Sequence, residues 1–300
     1  MRRKTILTRI LPALLLCAAT VGLLLCAAAA EIPTVAESKS GVDVYANTKA
    51  AVDYSNLSEG YLSVKYTGGL STRIKVQITR TQGVTYTYDL NNKGTAEVFP
   101  LVEGDGEYTV RVFENTSGTR YAQALSVKLT LKLRNEFLPF LYPNQYVNFT
   151  KDSKTTAKAA ELMKDKTTDL ARLTAVYHYV VNNFTYDYSK AKTVQSGYLP
   201  VVDTILASRK GICFDYAAVM AAMLRSQGIP CKLVVGYAGT VYHAWINVYL
   251  AEKGWVEKAA YFDGTTWKLM DPTFASSGKS SASILKYIGN GSNYTQKYAY

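Results

Sequence analysis

The chain has 300 residues, with 34 Lys plus Arg against 23 Asp plus Glu, a formal net charge of +11. Four Cys and two His exclude a zinc-finger array, a multihaem chain and an iron–sulfur protein. A content of 48% hydrophobic and 19% charged residues excludes a wholly disordered chain. The length suggests two modest domains, and any imidazole chemistry has to use His178 or His243.

Residues 1–30 read as a secretory signal. Arg2, Arg3, Lys4 and Arg9 precede an apolar run from Ile10 to Leu25, and small residues Ala27 to Ala30 follow. Ala28 and Ala30 place cleavage after Ala30. The rival is an uncleaved anchor, since the 21 residues Ile10–Ala30 can span a bilayer. A lipid-anchored Cys26 is disfavoured by Leu25 before it. Cleavage takes four positive charges and no negative ones, leaving +7, and it removes Cys17 and Cys26. The expected location is therefore secreted or at the cell surface, with a membrane link only if the N-terminal segment is retained. Two remaining cysteines do not make a disulfide scaffold. The basic charge suits solubility, or attraction to anionic wall polymers or lipid headgroups. No Arg-rich stripe or stacking motif points to nucleic acid.

Residues 31–41 are a polar linker. From 42 to 134 the pattern has period two: Leu62, Val64 and Tyr66; Ile74, Val76 and Ile78; Tyr86, Tyr88 and Leu90; Tyr108, Val110 and Val112; then Leu125 to Leu133 at every second position. Turn residues such as Gly68-Gly69, Asn91 to Gly94 and Gly104-Asp105-Gly106 separate the runs. This spacing predicts an antiparallel β-sandwich. The segment has no Cys or His, so a binding or positioning role fits it better than catalysis.

A second linker, 135–153, carries Pro139 and Pro143. The period then changes, and 154–300 read as an α+β domain. Helices are predicted over Thr155–Lys164 and Thr168–Asn183, with His178 on the surface of the second. Residues 189–202 read as a loop. Asp203 is placed as the cap of a short helix, Thr204–Ser208. Cys213 then opens a longer helix that Gly228 ends, with Pro230 behind it. Its stripe, Cys213, Ala217, Met220, Ala221 and Leu224, is one helical face. At a helix N-terminus, unpaired N–H groups and the dipole favour a thiolate, and the same amides can stabilise an oxyanion. A small hydrophobe in the core is the alternative for Cys213.

Strands are predicted over Cys231–Tyr237 and Tyr242–Leu250. In the latter, His243, Trp245, Asn247 and Tyr249 share one face, and Ala244, Ile246, Val248 and Leu250 the other. The histidine face is expected to look towards another element, such as the Cys213 helix. Trp255–Phe262 is read as a continuing strand, Asp263-Gly264 as a hairpin turn and Trp267–Met270 as the return, ending at Asp271 before Pro272. Trp267, Leu269 and Asp271 share a face, so Asp271 can lie on the side of His243. A thiolate, an imidazole that moves a proton and a carboxylate that orients it need three residues such as Cys213, His243 and Asp271. Each alone has an ordinary structural reading.

The block Gly211-Ile212-Cys213-Phe214-Asp215-Tyr216-Ala217, followed by Leu224 to Pro230, Gly236-Tyr237, His243-Ala244-Trp245 and Asp271-Pro272-Thr273, resembles the core of bacterial transglutaminase-like proteins. The resemblance covers roughly 170–275. It implies a papain-like fold with Cys213 as nucleophile, His243 as general base and acid, and Asp271 as the orienting group. It also implies a structural role for Cys231, read as a buried strand thiol. Where the family carries an acidic residue after His-Ala-Trp, this chain has Ile246-Asn247, so local substrate contacts transfer less well.

The resemblance leaves the reaction open between acyl transfer to an amine and hydrolysis, at amide bonds of protein or cell-wall peptides. The Cys213 backbone is one expected oxyanion donor. Gln195, Tyr198 and Trp245 are candidates for the second, and Trp245 also for substrate binding. There is no calcium-loop signature, and neither metal nor cofactor is expected. Two rival readings remain. In one the chain is a non-enzymatic surface protein that binds through its sandwich and keeps a relic scaffold. In the other the sandwich only shields or orients the catalytic half.

Overall fold

A computed structural model of the chain describes residues 32–33, 41–69, 71–257, 260–262, 267–269 and 293–300. Asp271, the 1–30 segment and the Asp263-Gly264 turn lie outside the described residues.

The period-two half forms two four-stranded antiparallel sheets. One has strands β1 (Val44–Ala46), β2 (Ala50–Asp53), β3 (Tyr61–Tyr66) and β6 (Glu97–Pro100) in the order β1-β2-β3-β6. The other has β4 (Ile74–Arg80), β5 (Thr85–Leu90), β7 (Gly106–Ser117) and β8 (Arg120–Leu131) in the order β5-β4-β7-β8. Alternate residues of each sheet turn inward, so Val52, Val64, Val76, Phe99, Val110 and Val112 are fully buried.

In the second half, α1 (Lys154–Met163), α2 (Asp169–Asn183) and α4 (Val202–Ser208) surround α5 (Cys213–Arg225). The other side of α5 packs on a sheet of β11 (Cys231–Ala238), β12 (Val241–Leu250), β13 (Gly254–Val256) and β16 (Tyr294–Ala299), ordered β13-β12-β11-β16 and antiparallel. Every residue of α5 from Asp215 to Arg225 is buried, as a central helix requires. The small side chains Ala217, Ala218, Ala221 and Ala222 let its neighbours approach. At its end Gly228 takes φ +77°, and the Ile229 N–H reaches back to the Leu224 carbonyl at 3.0 Å, the left-handed stop that glycine favours. The mixed α+β class is as expected.

Three local expectations differ from the structure. The first part of the predicted 189–202 loop is a helix, α3 (Tyr188–Thr193), because Asp187 caps it, accepting from the Lys190 N–H at 3.0 Å. Helix α4 begins at Val202, and Asp203 does not cap it. Its carboxylate instead accepts from the Lys154 and Thr155 N–H groups, each at 2.9 Å, and so caps α1. Trp255–Phe262 is not one strand: β13 pairs with β12, whereas β14 (Ala260–Phe262) pairs with β15 (Trp267–Leu269) in a separate ribbon. Strand β16, at the end of the chain, adds to the free edge of β11, an unannounced long-range pairing. A short parallel pair, β9 (Thr185–Tyr186) with β10 (Lys210–Gly211), leads into α5.

The two halves share one apolar core. Tyr86 and Tyr88 of β5 point at the end of the chain: Tyr86 meets Tyr298 and Tyr300 with ring centroids 5.5 Å apart, and Tyr88 meets Tyr300 at 5.8 Å and Tyr146 at 5.7 Å. Tyr146, in the segment linking the halves, stands edge-on to Tyr300 at 4.7 Å and to Phe214 at 5.5 Å. These ring contacts, edge-to-face except for the tilted Tyr88–Tyr146 pair, run from the sandwich to the start of α5.

Candidate active site

Cys213 is the first residue of α5, after Ile212 in extended geometry (φ −98°, ψ 176°). First-turn N–H groups have no acceptor inside a helix, so they face the region where Cys213 sits. The thiol is partly exposed. It lines a cleft of about 480 Å³ together with Ile212, Phe214, Val235, Tyr242, His243, Ala244 and Tyr300. The opposite wall comes from the sandwich residues Lys75, Thr87 and Asp89, with Gln145, Tyr146 and the loop 194–199 between. Tyr242 is 58% exposed at the cleft and stands edge-on to Tyr237 at 5.5 Å. Burial first, then the neighbouring Tyr298, Tyr237 and Cys213, hold its hydroxyl above the usual tyrosine range.

Cys213 and His243 thus meet on one cleft, though not by the route that alternation suggests. Helix α5 packs on the aliphatic face of β12, with Ala244, Ile246 and Val248 in its core. His243 and Trp245 belong to the other face, their rings stacked at 6.5 Å and both beside Tyr294. His243 still lines the cleft because it sits near the start of β12, opposite Gly236. It is 5% exposed. Gly236 has to be glycine: a Cβ there would stand 2.0 Å from the Thr295 carbonyl and 2.9 Å from the Trp245 ring.

The remaining candidates fall as follows. Trp245 packs with Val234, Ala238, Tyr294 and Ala299, away from the cleft lining, and its indole nitrogen is buried with no hydrogen-bond partner among the described residues. Gln195 lines the cleft, and its amide donates to the Thr193 carbonyl at 2.8 Å. Tyr198 also lines it, and its hydroxyl donates to Asp215 at 2.5 Å. That burial and the adjacent carboxylate raise its pKa well above the ordinary value. His178 is exposed on α2 beside Tyr177. Cys231 is fully buried, and desolvation pushes its thiol up to about 12.

Residue-type reasoning missed the group behind Cys213. Asp215 is fully buried and accepts from the Tyr198 hydroxyl at 2.5 Å, the Lys190 ammonium at 2.6 Å and the Ile212 N–H at 2.9 Å. Lys190 also lies over the Tyr198 ring, 4.0 Å from its centroid. Gly211 makes room for this carboxylate, since a Cβ there would come within 2.6 Å of the Asp215 Cβ. A signal was present: an acid at the third helical position commonly reaches back to the N-cap N–H.

Residues 156–272 match the family model described as Transglutaminase-like superfamily. Among curated proteins, the chain is 26% identical over 189 residues to the uncharacterized protein YebA of Bacillus subtilis, a stretch that covers 55% of this chain and 25% of that one. It is 28% identical over 130 residues to the kyphoscoliosis peptidase of Homo sapiens, covering 41% of this chain and 19% of the relative. A third stretch of 70 residues is 34% identical to a protein-glutamine gamma-glutamyltransferase of Pseudomonas aeruginosa, 19% of this chain and 10% of the relative. The chain therefore spans a quarter or less of the length of the curated relatives it matches.

Proposed function

We infer that this chain, whose residues 156–272 match the transglutaminase-like superfamily model, is an exported cysteine-dependent enzyme that transfers or hydrolyses amide acyl groups of protein or cell-wall peptides. The observation that carries the reading is the meeting of Cys213, at the first turn of α5, with His243 on one cleft. The 1–30 segment supports export through its charge and hydropathy pattern. The names of two relatives, a peptidase and a glutamyltransferase, favour acyl chemistry and bracket its two outcomes.

In this reading His243 takes the thiol proton, and the Cys213 sulfur bonds to the carboxamide carbon. The carbonyl oxygen becomes an oxyanion held by first-turn amides of α5. The C–N bond then breaks, the nitrogen leaves with the proton from His243, and a thioester remains. An amine or water attacks the thioester, gives its proton to His243 and frees the sulfur. Asp271 is assigned the orienting role on the sequence motif.

The test uses the full chain, a thiol-directed probe and a labelled amine. Cys213 should label at least tenfold faster in the parent than in His243→Ala. Equal rates overturn the reading. Mass spectrometry of surface peptides incubated with the enzyme and the amine then separates the outcomes: incorporation means transfer, and deamidation or new termini without the label mean hydrolysis.

A further inference from the structure

We propose that Asp215 is a positioning residue that clamps the loop 194–199 onto the first turn of α5, and that the sandwich seats this loop through Asp89. Presentation of Cys213 then depends on the N-terminal half of the chain. The proposal builds on the reading of Cys213 as nucleophile.

Consider the cleft end first. A carboxylate with no exposed surface is stable only when donors surround it. Asp215 has three, from three places: the Tyr198 hydroxyl from the loop over the cleft, the Lys190 ammonium from α3 and the Ile212 N–H from the helix entry. Releasing the loop would strip a buried anion of its hydroxyl donor and leave it to the Lys190 ammonium of α3 and the Ile212 N–H. The same carboxylate sets the backbone at Ile212, and so the direction of the amides that follow it past Cys213.

At the sandwich end, Gly197 adjoins Tyr198 and takes φ +86°, a conformation that favours glycine. Its Cα lies so close to β5 that a Cβ would stand 3.0 Å from Asp89 Oδ2. Lys75 on β4 fixes that carboxylate at 2.5 Å. Thus Asp89, Gly197, Tyr198 and Asp215 form a continuous path from the sandwich to the helix that bears the thiol. A second path runs beside it through rings: Tyr88 on Tyr146, Tyr146 on Phe214, and Phe214 against Tyr198 at 6.4 Å. The sandwich is therefore a working wall of the cleft, beyond shielding.

The test compares the full-length parent with Tyr198→Phe, Asp89→Ala, their combination, and His243→Ala. The readouts are the iodoacetamide rate at Cys213, hydrogen exchange of peptides covering 194–199 and 212–216, and thermal unfolding. Each single change at Tyr198 or Asp89 should slow labelling by about three- to tenfold with Tm within a few degrees of the parent. Asp89→Ala should speed exchange at 194–199 by about tenfold. The combination should cost less than the product of the two, because both act through one loop. Independent, multiplying effects overturn the proposal. So does unchanged exchange in Asp89→Ala, or altered exchange with unchanged labelling, which would leave the clamp a purely structural contact. If His243→Ala labels as fast as the parent, the nucleophile reading fails separately, whatever exchange reports about the loop.

Discussion

The two ends of helix α5 are built from similar parts and arranged for opposite ends. Each buries a charged side chain completely, Asp215 at the start and Arg225 at the finish, and each lies beside a cysteine. At the start, Asp215 is met by side chains from a loop, and Cys213 stays partly exposed on a cleft. At the finish, Arg225 donates to three carbonyls, of Cys231 at 2.9 Å, Tyr142 at 2.9 Å and Tyr300 at 2.6 Å, and Cys231 is sealed. Burial lowers the Arg225 guanidinium to about 10. One end ties three chain segments together through main-chain oxygens. The other holds the proposed nucleophile partly exposed on a cleft with replaceable side-chain contacts. Stability and chemistry are thereby assigned to different turns of one helix.

The most direct way to break this division is to remove the anchor. Arg225→Ala removes a fully buried guanidinium and its hydrogen bonds to the Cys231, Tyr142 and Tyr300 carbonyls, and should cost on the order of 3–5 kcal/mol in urea unfolding. Cys213→Ala should change stability by less than about 1 kcal/mol and remove probe labelling at that position. A mild Arg225→Ala phenotype would mean that the finish of the helix is not an anchor.

Reactivity gives the next contrast. In the folded chain at pH 8, iodoacetamide should modify Cys213 at least about a hundredfold faster than Cys231, a difference of about 2.7 kcal/mol in activation free energy. Peptide mapping after timed quenches measures both rates in one sample. Comparable rates would remove the distinction between the two ends.

Helix α5 was legible in the sequence because its signals are local. A stripe at helical spacing, a cysteine at its start and a glycine beyond its finish lie within about twenty residues. The two faces of β12 were legible too, since alternation separates Ala244 and Ile246 from His243 and Trp245. What covers each face was not, because period two carries no information about partners. The same limit hid the clamp. The partners of Asp215 stand 17 and 25 residues earlier in the chain, and Asp203 caps a helix start 48 and 49 residues before it. Strand β16 pairs with β11 across more than fifty residues, and its own polar-rich pattern of Thr295, Gln296 and Lys297 does not announce a strand.

The flanking glycines sharpen the comparison at smaller cost. Gly211→Ala places a Cβ 2.6 Å from the Asp215 Cβ, and overpacking of that kind should cost about 1–3 kcal/mol. Because the strain falls on the clamp, the variant should also label more slowly at Cys213. Gly228→Ala meets the left-handed φ of +77° and should cost about 1 kcal/mol with labelling unchanged. Chemical denaturation and the iodoacetamide rate, taken together, test the pair. Equal slowing by both variants would mean that the helix transmits strain end to end.

The smallest effect is a pH dependence that belongs to the sealed end. Desolvation raises the Cys231 thiol from 9.0 to about 12 in the folded chain, with the Arg225 charge opposing it. The folded state therefore holds this proton more tightly than the unfolded state. Its contribution is complete below about pH 9 and is lost as pH rises towards about 12, at up to ~1.4 kcal/mol per pH unit. At pH 9.5 the loss is set almost wholly by the unfolded thiol, because the folded value lies more than two units higher, and it amounts to about 0.8 kcal/mol. Tyrosines that titrate nearby cancel when the parent is compared with Cys231→Ala. The stability gap between the two should therefore narrow by that amount between pH 7.5 and 9.5 in urea titrations. A gap that stays constant would mean that the Cys231 thiol is reached by solvent, and the sealed end of α5 would then differ from the open one only in degree.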